Sequence, residues 1–429
     1  MSNLLNIPLL QDADLKNKIV LVRVDHNVVK KGIIVDPYRI DMTIGTLFHI
    51  VAKGGKIILM THVGRPKDKK TGEIKIDANS SVKPIVEYIE KKLNIKFSTP
   101  EFQQFENKGY AEVGDSLKQS IEELKAGKVD AIYLPNTRWF TGEEAKGEVA
   151  DKFASQLASF ADIYVNDAFG SWQAHASTVA ITKYLPSYAG FLMQKELENL
   201  DRIFTPKTPL LSIVAGSKFD TKIDSLNALI KTSDYLVLGG VIYNAYLCAK
   251  YGIQISGIEA DDLEHATKFV EYSKQFPGKL IELPYIIESD VIEGSFEGKT
   301  RVHYIKDLKP GTKLNFVLDV AAKSFEDTEV KEVFMKANTI FINAVMGYTP
   351  YFNEGTITMD KLIDSNKNAS KLYGGGDTLQ ELKTLLPGIY MVAIDDPKYY
   401  MFTGGGAVLK AIEGGNYYGL EPVKALTKK

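Results

Sequence analysis

Short runs of consecutive apolar residues alternate along the chain with longer stretches whose apolar residues recur at helical spacing. The short runs are rich in β-branched residues and predict buried strands at Ile19–Val24, Lys56–Met60, Ala131–Leu134, Ile163–Val165, Leu210–Val214, Tyr235–Leu238, Leu314–Val320, Thr339–Ile342 and Met391–Ile394. The longer stretches predict helices at Arg39–Lys53, Val82–Leu93, Glu144–Phe160, Ile223–Lys231, Tyr243–Lys250, Leu263–Gln275, Glu326–Met335 and Thr378–Leu385. This alternation is typical of parallel sheets covered by helices on both faces.

The length of the chain favours two domains. A typical domain has roughly 100–200 residues, whereas this chain has 429, and its predicted strands fit two small sheets better than one large sheet. Pro186 and Gly190 mark a boundary, and the amphipathic run Phe191–Phe204 that follows predicts a connecting helix. We therefore predict an α/β protein of two Rossmann-like domains, each a parallel sheet with helices on both faces, joined by a hinge helix. The polar segment Phe97–Gly114 is interpreted as a long loop.

Composition and charge exclude several classes of protein. The chain has 52 basic and 54 acidic residues and a net charge of -2, so we expect neither nucleic acid nor a membrane surface as a partner. Cys248 is the only cysteine, which excludes an intramolecular disulfide and a cysteine-based zinc or iron–sulfur centre. The apolar runs are too short to span a membrane, and the N-terminal residues lack the pattern of a signal peptide. We therefore expect a cytoplasmic protein.

Arginine is rare in this chain, and most of it lies near the beginning. The only arginines among the 52 basic residues are Arg23, Arg39, Arg65, Arg138, Arg202 and Arg301. Because lysine serves here wherever a solvated charge is sufficient, each arginine is a candidate for a place that needs a planar, bidentate donor. A chance surface position is the alternative for any one of them, but their grouping predicts an anion site.

Polar residues follow the four strands predicted in the first half of the chain. They are Asp25 and Asn27 after the first, His62 and Arg65 after the second, Arg138 after the third and His175 after the fourth. Since parallel strands end at one edge of a sheet, three guanidinium groups, including that of Arg39, should meet an imidazole there. Such a group suits a small, multiply charged anion such as a phosphorylated acid. Taken alone, His62 also fits a capped loop histidine.

Glycine-rich turns distinguish the second half of the chain. Gly374–Thr378 and Thr403–Ala407 each follow a short apolar segment and precede a helical stretch. Glycine lets backbone N–H groups approach phosphate oxygens, and a helix N-terminus favours negative charge. An acidic residue such as Asp377 beside phosphates calls for a cation such as Mg²⁺.

Lysines and further glycines add to this signal. Lys218 and Lys222 follow the strand Leu210–Val214, where they can neutralise a migrating phosphoryl group. With Gly239 and Gly240, these features predict a nucleotide site, although a tight turn explains a single glycine triplet equally well. The absence of a Walker A pattern and of G-x-G-x-x-G excludes a P-loop NTPase and an ordinary dinucleotide-binding enzyme.

The two halves together are typical of a two-domain phosphotransferase whose substrates meet across a cleft. The chain also resembles the phosphoglycerate kinases over nearly its whole length. The resemblance is carried by Val20–Asn27, Leu59–Pro66, Leu134–Arg138, Tyr164–Gly170, Ala189–Glu196, Lys218, Lys222, Gly374–Thr378 and Thr403–Ala407. It implies reversible phosphoryl transfer between 1,3-bisphosphoglycerate and ADP, giving 3-phosphoglycerate and ATP with Mg²⁺ in glycolysis.

The resemblance also implies roles for particular residues. Arg39 and Lys218 match catalytic positions, and Asp377 matches the metal position. The implied phosphoglycerate-binding residues are Asp25, Asn27, Arg39, His62, Arg65 and Arg138. The implied nucleotide-binding residues are Lys218, Lys222, Gly239, Asn343, Gly375, Gly376, Asp377, Thr378, Gly404 and Gly405. The implied domains are 1–184 for phosphoglycerate, 185–204 for the hinge and 205–405 for the nucleotide, with 406–429 returning toward the first domain of a monomer.

Three positions depart from the family pattern. Gln173 stands in place of an expected arginine, Pro350 in place of a glutamate that would hold ribose hydroxyls, and His26 in place of phenylalanine. These departures leave two alternatives, a phosphotransferase of the same fold acting on another carboxylate or acyl phosphate, and a non-catalytic nucleotide-binding paralogue. The presence of Arg39, Lys218 and Asp377 argues against the paralogue.

Overall fold

The structure is a computed structural model and describes residues 6–427. Its strands are β1 (Ile19–Val24), β2 (Val29–Lys30), β3 (Ile33–Ile34), β4 (Lys56–Met60), β5 (Phe97–Ser98), β6 (Ala131–Tyr133), β7 (Ile163–Asp167), β8 (Ser187–Ala189), β9 (Leu210–Gly216), β10 (Tyr235–Gly239), β11 (Gln254–Ile255), β12 (Leu280–Ile281), β13 (Tyr285–Ser289), β14 (Thr300–Tyr304), β15 (Lys313–Leu314), β16 (Phe316–Val320), β17 (Thr339–Asn343), β18 (Ser370–Gly374) and β19 (Tyr399–Phe402). Its α-helices are α1 (Tyr38–Asp41), α2 (Ile44–Ala52), α3 (Lys83–Leu93), α4 (Asp115–Lys125), α5 (Glu148–Ala158), α6 (Phe191–Phe204), α7 (Ile223–Thr232), α8 (Gly240–Tyr251), α9 (Ala260–Ser273), α10 (Thr328–Lys336), α11 (Glu354–Ser365), α12 (Gly376–Leu385), α13 (Pro387–Ala393), α14 (Gly405–Glu413) and α15 (Glu421–Leu426).

The chain forms two compact units, each built on its own sheet. The first unit contains the described residues up to Glu198 and those from Tyr418 onward, and the second contains residues 199–417. The sheet of the first unit has six strands in the order β5-β6-β4-β1-β7-β8, all paired in parallel. The sheet of the second unit also has six parallel strands, in the order β12-β10-β9-β17-β18-β19.

Both faces of each sheet are covered. All five residues of the inner strand β7 are buried, as are all five residues of β17. Successive side chains of a strand point to opposite faces, so such continuous burial requires packing on both sides. This confirms the predicted fold class of two parallel α/β sheets with helices on both faces.

The predicted connecting helix is present with the predicted bounds. It is α6, and the division between the two units falls inside it. Its first turn is held by the end of β7, where Asp167 Oδ1 accepts a hydrogen bond from the Met193 backbone N–H at 3.0 Å. Burial raises the pKa of this Asp167 carboxyl to about 6. Within residues 6–427, no helix is long and apolar enough to cross a bilayer.

One predicted strand is wrong. Residues 391–394 were expected to be extended, but α13 ends at Ala393, and Met391 and Val392 are 62% and 63% exposed. Pro387 occupies the first turn of this helix, where its missing N–H carries no penalty. The place beside β18 is taken by β19, which follows a few residues later.

The remaining differences between the predicted and the observed elements are one strand that is divided in two and several elements that the pattern did not predict. The predicted strand Leu314–Val320 is divided between β15 and β16, which belong to different small sheets. The inner strand β18 and the helices α4, α11, α14 and α15 were not predicted. Residues 97–114 form a loop, as predicted, apart from the short strand β5.

Candidate active site

Four neighbouring strands of the first unit end at one edge of its sheet. They are β6, β4, β1 and β7, in that order and all parallel, so the polar residues that follow them share this edge. The predicted residues lie there at different depths, with Asp25, His62 and Arg138 buried, Asn27 and Arg39 half-buried and Arg65 exposed.

Asp25 and Arg39 form an ion pair at this edge. Arg39 is carried by the one-turn helix α1, and its Nη1 atom lies 3.3 Å from Asp25 Oδ2. The second carboxylate oxygen, Oδ1, is buried and has no hydrogen-bond partner among the described residues. A buried acceptor without a donor is unfavourable. Asp25 Oδ1 is therefore an acceptor at this edge that the described residues leave unused.

A buried guanidinium fixes the protonation state of His62. Arg23 Nη2 lies 3.1 Å from His62 Nδ1. Since a guanidinium only donates, Nδ1 must accept, and the single proton of the neutral ring is on Nε2. Burial, with a contribution from the charges of Arg23 and Arg138, holds the pKa of His62 well below 6.5. His62 is therefore neutral and offers an N–H donor.

Arg23 is a residue of this edge that the sequence-based site lacks. It is fully buried in β1, and its Nε atom donates to Ser177 Oγ at 2.9 Å. Ser177 Oγ donates in turn to Glu143 Oε1 at 2.7 Å, and this oxygen lies 3.9 Å from Arg23 Nη2. A buried ionic network thus supports His62. The sequence signal that could have identified Arg23 is its position, inside an apolar strand of a chain that contains few arginines.

A second group of contacts involves Arg138. Asn136 Oδ1 accepts a hydrogen bond from the Arg138 backbone N–H at 3.0 Å, which holds the turn that carries Arg138. Arg138 Nη1 donates to the Gly64 carbonyl at 2.5 Å, and the Gly64 N–H donates to Asn27 Oδ1 at 2.9 Å. Burial lowers the pKa of Arg138, and the charge of the neighbouring Arg65 adds to this effect. The structure thus brings all six predicted acid-binding residues to one edge.

In the second unit, Lys222 and Asn343 connect the ends of adjacent strands. Lys222 Nζ donates to Asn343 Oδ1 and, at 3.1 Å, to the Ala215 carbonyl. Asn343 Nδ2 donates to the Gly374 carbonyl at 2.6 Å. Burial lowers the pKa of Lys222 to about 8, while the negative charge of Asp377 acts in the opposite direction. A half-buried cation therefore lies beside the first glycine turn.

The two glycine-rich turns are in direct backbone contact. Gly375 has a φ angle of +115°, which residues with a side chain rarely adopt. A Cβ atom on Gly405 would lie 2.4 Å from Gly375 Cα, so only glycine permits this approach. Gly375 and Gly404 directly precede α12 and α14. The free N–H groups of two helix N-termini are therefore available to an anion at one edge of the sheet.

The remaining predicted nucleotide residues lie at the same edge. They comprise Lys218, exposed after β9; Gly239, directly before α8; Gly376 and Asp377, exposed in the first turn of α12; and Thr378, buried in that turn. Because β9, β10, β17, β18 and β19 are parallel neighbours or near neighbours, their carboxyl ends face one side of the second unit.

Comparison with known proteins identifies the family of the chain. A family model described as phosphoglycerate kinase matches residues 10–415. The chain belongs to the phosphoglycerate kinase family. It is 33% identical over 411 residues to the phosphoglycerate kinase of Dictyoglomus turgidum, covering 94% of this chain and 95% of that protein. It is 34% identical over 440 residues to that of a Wolbachia strain from Drosophila simulans, covering 99% of this chain and the whole of that protein.

Solved structures of phosphoglycerate kinases have the same fold. The structure from Coxiella burnetii matches with a TM-score of 0.74 at 27% identity, covering 98% of each chain. The structure from Pyrococcus horikoshii matches in fold with a TM-score of 0.77 at 22% identity, again covering 98% of each chain. The chain is accordingly a phosphotransferase with a carboxyl acceptor, and its reaction is reversible phosphoryl transfer between 1,3-bisphosphoglycerate and ADP, giving 3-phosphoglycerate and ATP in glycolysis.

Two of the three departures from the phosphoglycerate kinase pattern lie on exposed segments. The Gln173 side chain is exposed, and the Gln173 carbonyl accepts a hydrogen bond from Thr178 Oγ1 at 2.8 Å. Pro350 is also exposed, in the segment between β17 and α11. His26, by contrast, is completely buried.

Proposed function

We propose that the edge of the first sheet binds the phosphorylated acid and the edge of the second sheet binds the nucleotide. The observation that carries this proposal is the contrast between the two edges. The first has side-chain cations and a carboxylate oxygen without a donor, whereas the second has two helix N-termini at glycine-rich turns and a half-buried lysine. Side-chain cations and an acceptor suit a phosphorylated hydroxy acid, and backbone N–H groups suit a polyphosphate.

At the first edge, His62, Arg65 and Arg138 hold the phosphate that does not react. Asp25 Oδ1 accepts a hydrogen bond from the hydroxyl group of the acid, and Asn27 keeps the Gly64 turn in place. Arg39 contacts the reacting carboxyl group. Its pairing with Asp25 orients its guanidinium, so that less freedom is lost when the substrate binds.

At the second edge, backbone N–H groups of the glycine turns hold the nucleotide phosphates. The contributing residues are Gly375, Gly376, Gly404 and Gly405, with Thr378 in the same turn, Asn343 and Lys222 below it, and Gly239 beside the nucleoside. Lys218 has an exposed side chain and accompanies the phosphoryl group as it moves.

The donor set at the second edge fits Mg²⁺ bound together with the nucleotide. Asp377 is an exposed carboxylate in the first turn of α12. Within residues 6–427, no three His, Cys, Asp or Glu side chains are placed to hold a metal without help. Mg²⁺ is commonly held by one or two carboxylates plus substrate phosphates and water, which matches a single Asp377. The bound ion would neutralise charge on the phosphate oxygens.

Transfer on these sites needs no covalent enzyme intermediate. The carboxylate oxygen of the acid attacks the terminal phosphorus of ATP in line, and ADP leaves. Arg39 and Lys218 supply positive charge to oxygens whose negative charge changes during transfer. Direct transfer requires the two reacting groups to come together, and we propose that bending about α6 achieves this. The phosphoglycerate domain is then 1–184, the hinge 185–204 and the nucleotide domain 205–405, and 406–429 returns to the first domain. The enzyme acts as a cytoplasmic monomer.

Calorimetric titration of single-site variants tests the assignment of the two edges. Arg138→Ala should weaken 3-phosphoglycerate binding about tenfold or more and leave MgADP binding unchanged. Lys222→Ala should have the reverse pattern. Comparable weakening of both ligands by either variant would contradict the assignment.

A further inference from the structure

His26 lies fully buried at the acid-binding edge and makes three hydrogen bonds to three other segments. Its backbone N–H donates to Thr61 Oγ1 at 2.9 Å. Its ring nitrogens lie 2.9 Å from the Tyr133 hydroxyl and 3.0 Å from Thr43 Oγ1. The Tyr133 and Thr43 side chains are also buried. An imidazole here does more than fill space, because each of its polar atoms is used.

The direction of every bond in this chain follows from chemistry. Thr43 Oγ1 lies 2.7 Å from the Ile40 carbonyl, which only accepts, so the hydroxyl proton of Thr43 is directed to it. Thr43 must then accept from His26 Nε2–H, which leaves Nδ1 of His26 to accept from the Tyr133 hydroxyl. The ring is therefore a neutral Nε2–H tautomer. Burial lowers the pKa of His26 to about 3, so this arrangement persists at neutral pH.

The chain of bonds ends on the segment that carries Arg39. Ile40 directly follows Arg39 in α1, and its carbonyl accepts from both the backbone N–H and the hydroxyl of Thr43. Asp25, the partner of Arg39, directly precedes His26. One imidazole thus ties the Asp25 end of β1 to the helix that carries Arg39 and to Tyr133 in β6.

We propose that His26 is a positioning residue that holds α1, and with it the Arg39 guanidinium, in register with Asp25. The inference rests on the proposed role of Arg39 in the transfer. A purely apolar side chain at this place would leave the buried Tyr133 hydroxyl without a partner, which is unfavourable. It would also remove the hydrogen bond to Thr43, which holds the Ile40 carbonyl of α1. His26 acts through Arg39 and touches no substrate.

A double-mutant cycle on turnover tests this proposal. His26→Phe keeps an aromatic ring and should lower kcat about three- to tenfold, with the KM for ATP unchanged. In an Arg39→Ala background the same substitution should have no further effect on kcat, because there is no guanidinium left to position. An equal loss in both backgrounds would overturn the proposal, as would an unchanged kcat in the single variant.

Two further comparisons keep the test decisive if His26→Phe folds poorly. Thr43→Val removes the link to Ile40 and should lower kcat, whereas Thr43→Ser retains the hydroxyl and should restore it. Tyr243→Phe is the matched control, since Tyr243 is buried in the second unit and its hydroxyl makes one bond of 2.8 Å to Leu283. Tyr133→Phe removes the hydroxyl that donates to His26 and should also lower kcat. An equal loss with Tyr243→Phe would reduce the effect to general destabilisation and overturn the proposal. If Arg39→Ala itself leaves kcat unchanged, the proposed role of Arg39 fails instead.

Discussion

Arg23 Nη2 and His62 Nδ1 lie 3.1 Å apart in the interior of the first unit. The contact places a permanent cation against one nitrogen of the ring and so assigns the proton to the other. The phosphate that we propose to bind at this edge would therefore meet a neutral donor in His62 and guanidinium groups in Arg65 and Arg138. The ionic network of Arg23 therefore shapes the site without facing the ligand.

The protonation of His62 can be observed directly. We expect ¹⁵N NMR of the free enzyme to show His62 as the Nε2–H tautomer without titration from about pH 8 down to about pH 5, because its pKa lies well below 6.5. Protonation of His62 near pH 6.5 would contradict the assignment.

Nucleotide binding should weaken at high pH as the Lys222 side chain loses its charge. Its pKa is lowered to about 8, so the side chain is charged below that pH and loses its charge above it. The dissociation constant for ADP should therefore rise as the pH increases from about 7 to about 9.5. Lys222→Arg, which stays charged over this range, should remove the dependence. The same rise in both proteins would show that another group is responsible.

With Gln173 in place of an arginine, we expect the substrate phosphate to be bound more weakly. A neutral side chain offers at most an ordinary hydrogen bond where an arginine offers a charge-assisted one, so Gln173→Arg should lower the dissociation constant for 3-phosphoglycerate about five- to thirtyfold. Gln173→Leu, of similar size but unable to hydrogen-bond, is the control and should not tighten binding. If Gln173→Arg leaves the affinity unchanged, the segment that carries Gln173 does not bind the substrate phosphate in the expected way.

Lys218 should act on turnover more than on binding. Its exposed side chain is assigned to charge that grows as the phosphoryl group moves, so Lys218→Ala should lower kcat about 100-fold or more while the KM for ATP changes little. Lys231→Ala, which removes an exposed lysine at the far end of α7, serves as the control. A change confined to KM would assign Lys218 to ground-state binding.

Much of the fold could be predicted because buried parallel strands leave a simple pattern. β1 and β4 have the predicted bounds, and so does α6. The antiparallel strands β13 and β14 gave no such signal, because they carry charges that are neutralised only across the pair. Glu288 accepts hydrogen bonds from Arg301 at 2.9 Å and from the ring of His303 at 2.7 Å, and a single strand read alone cannot reveal this compensation.

The candidate site was partly predictable for a similar reason. Residues that follow strands share an edge by topology, so the convergence of Asp25, His62 and Arg138 follows from the strand pattern. The supporting contacts do not, because they depend on which side chains meet in the interior. The bond between Arg23 and His62 and the chain through His26 are of this kind.

The account is tested most directly by measuring how fast the Arg39→Lys variant turns over 3-phosphoglycerate with MgATP. Arg39 is the residue of the acid-binding edge to which we assign a direct part in the transfer. We predict that the unmodified enzyme turns over and that Arg39→Lys lowers kcat about 100-fold, because a lysine cannot reproduce the planar contacts of the guanidinium. Arg301→Lys, in an ion cluster of the second unit with Glu288 and Asp290, should match the unmodified enzyme. An Arg39→Lys variant with unchanged kcat, or an unmodified enzyme that does not phosphorylate 3-phosphoglycerate, would contradict the account.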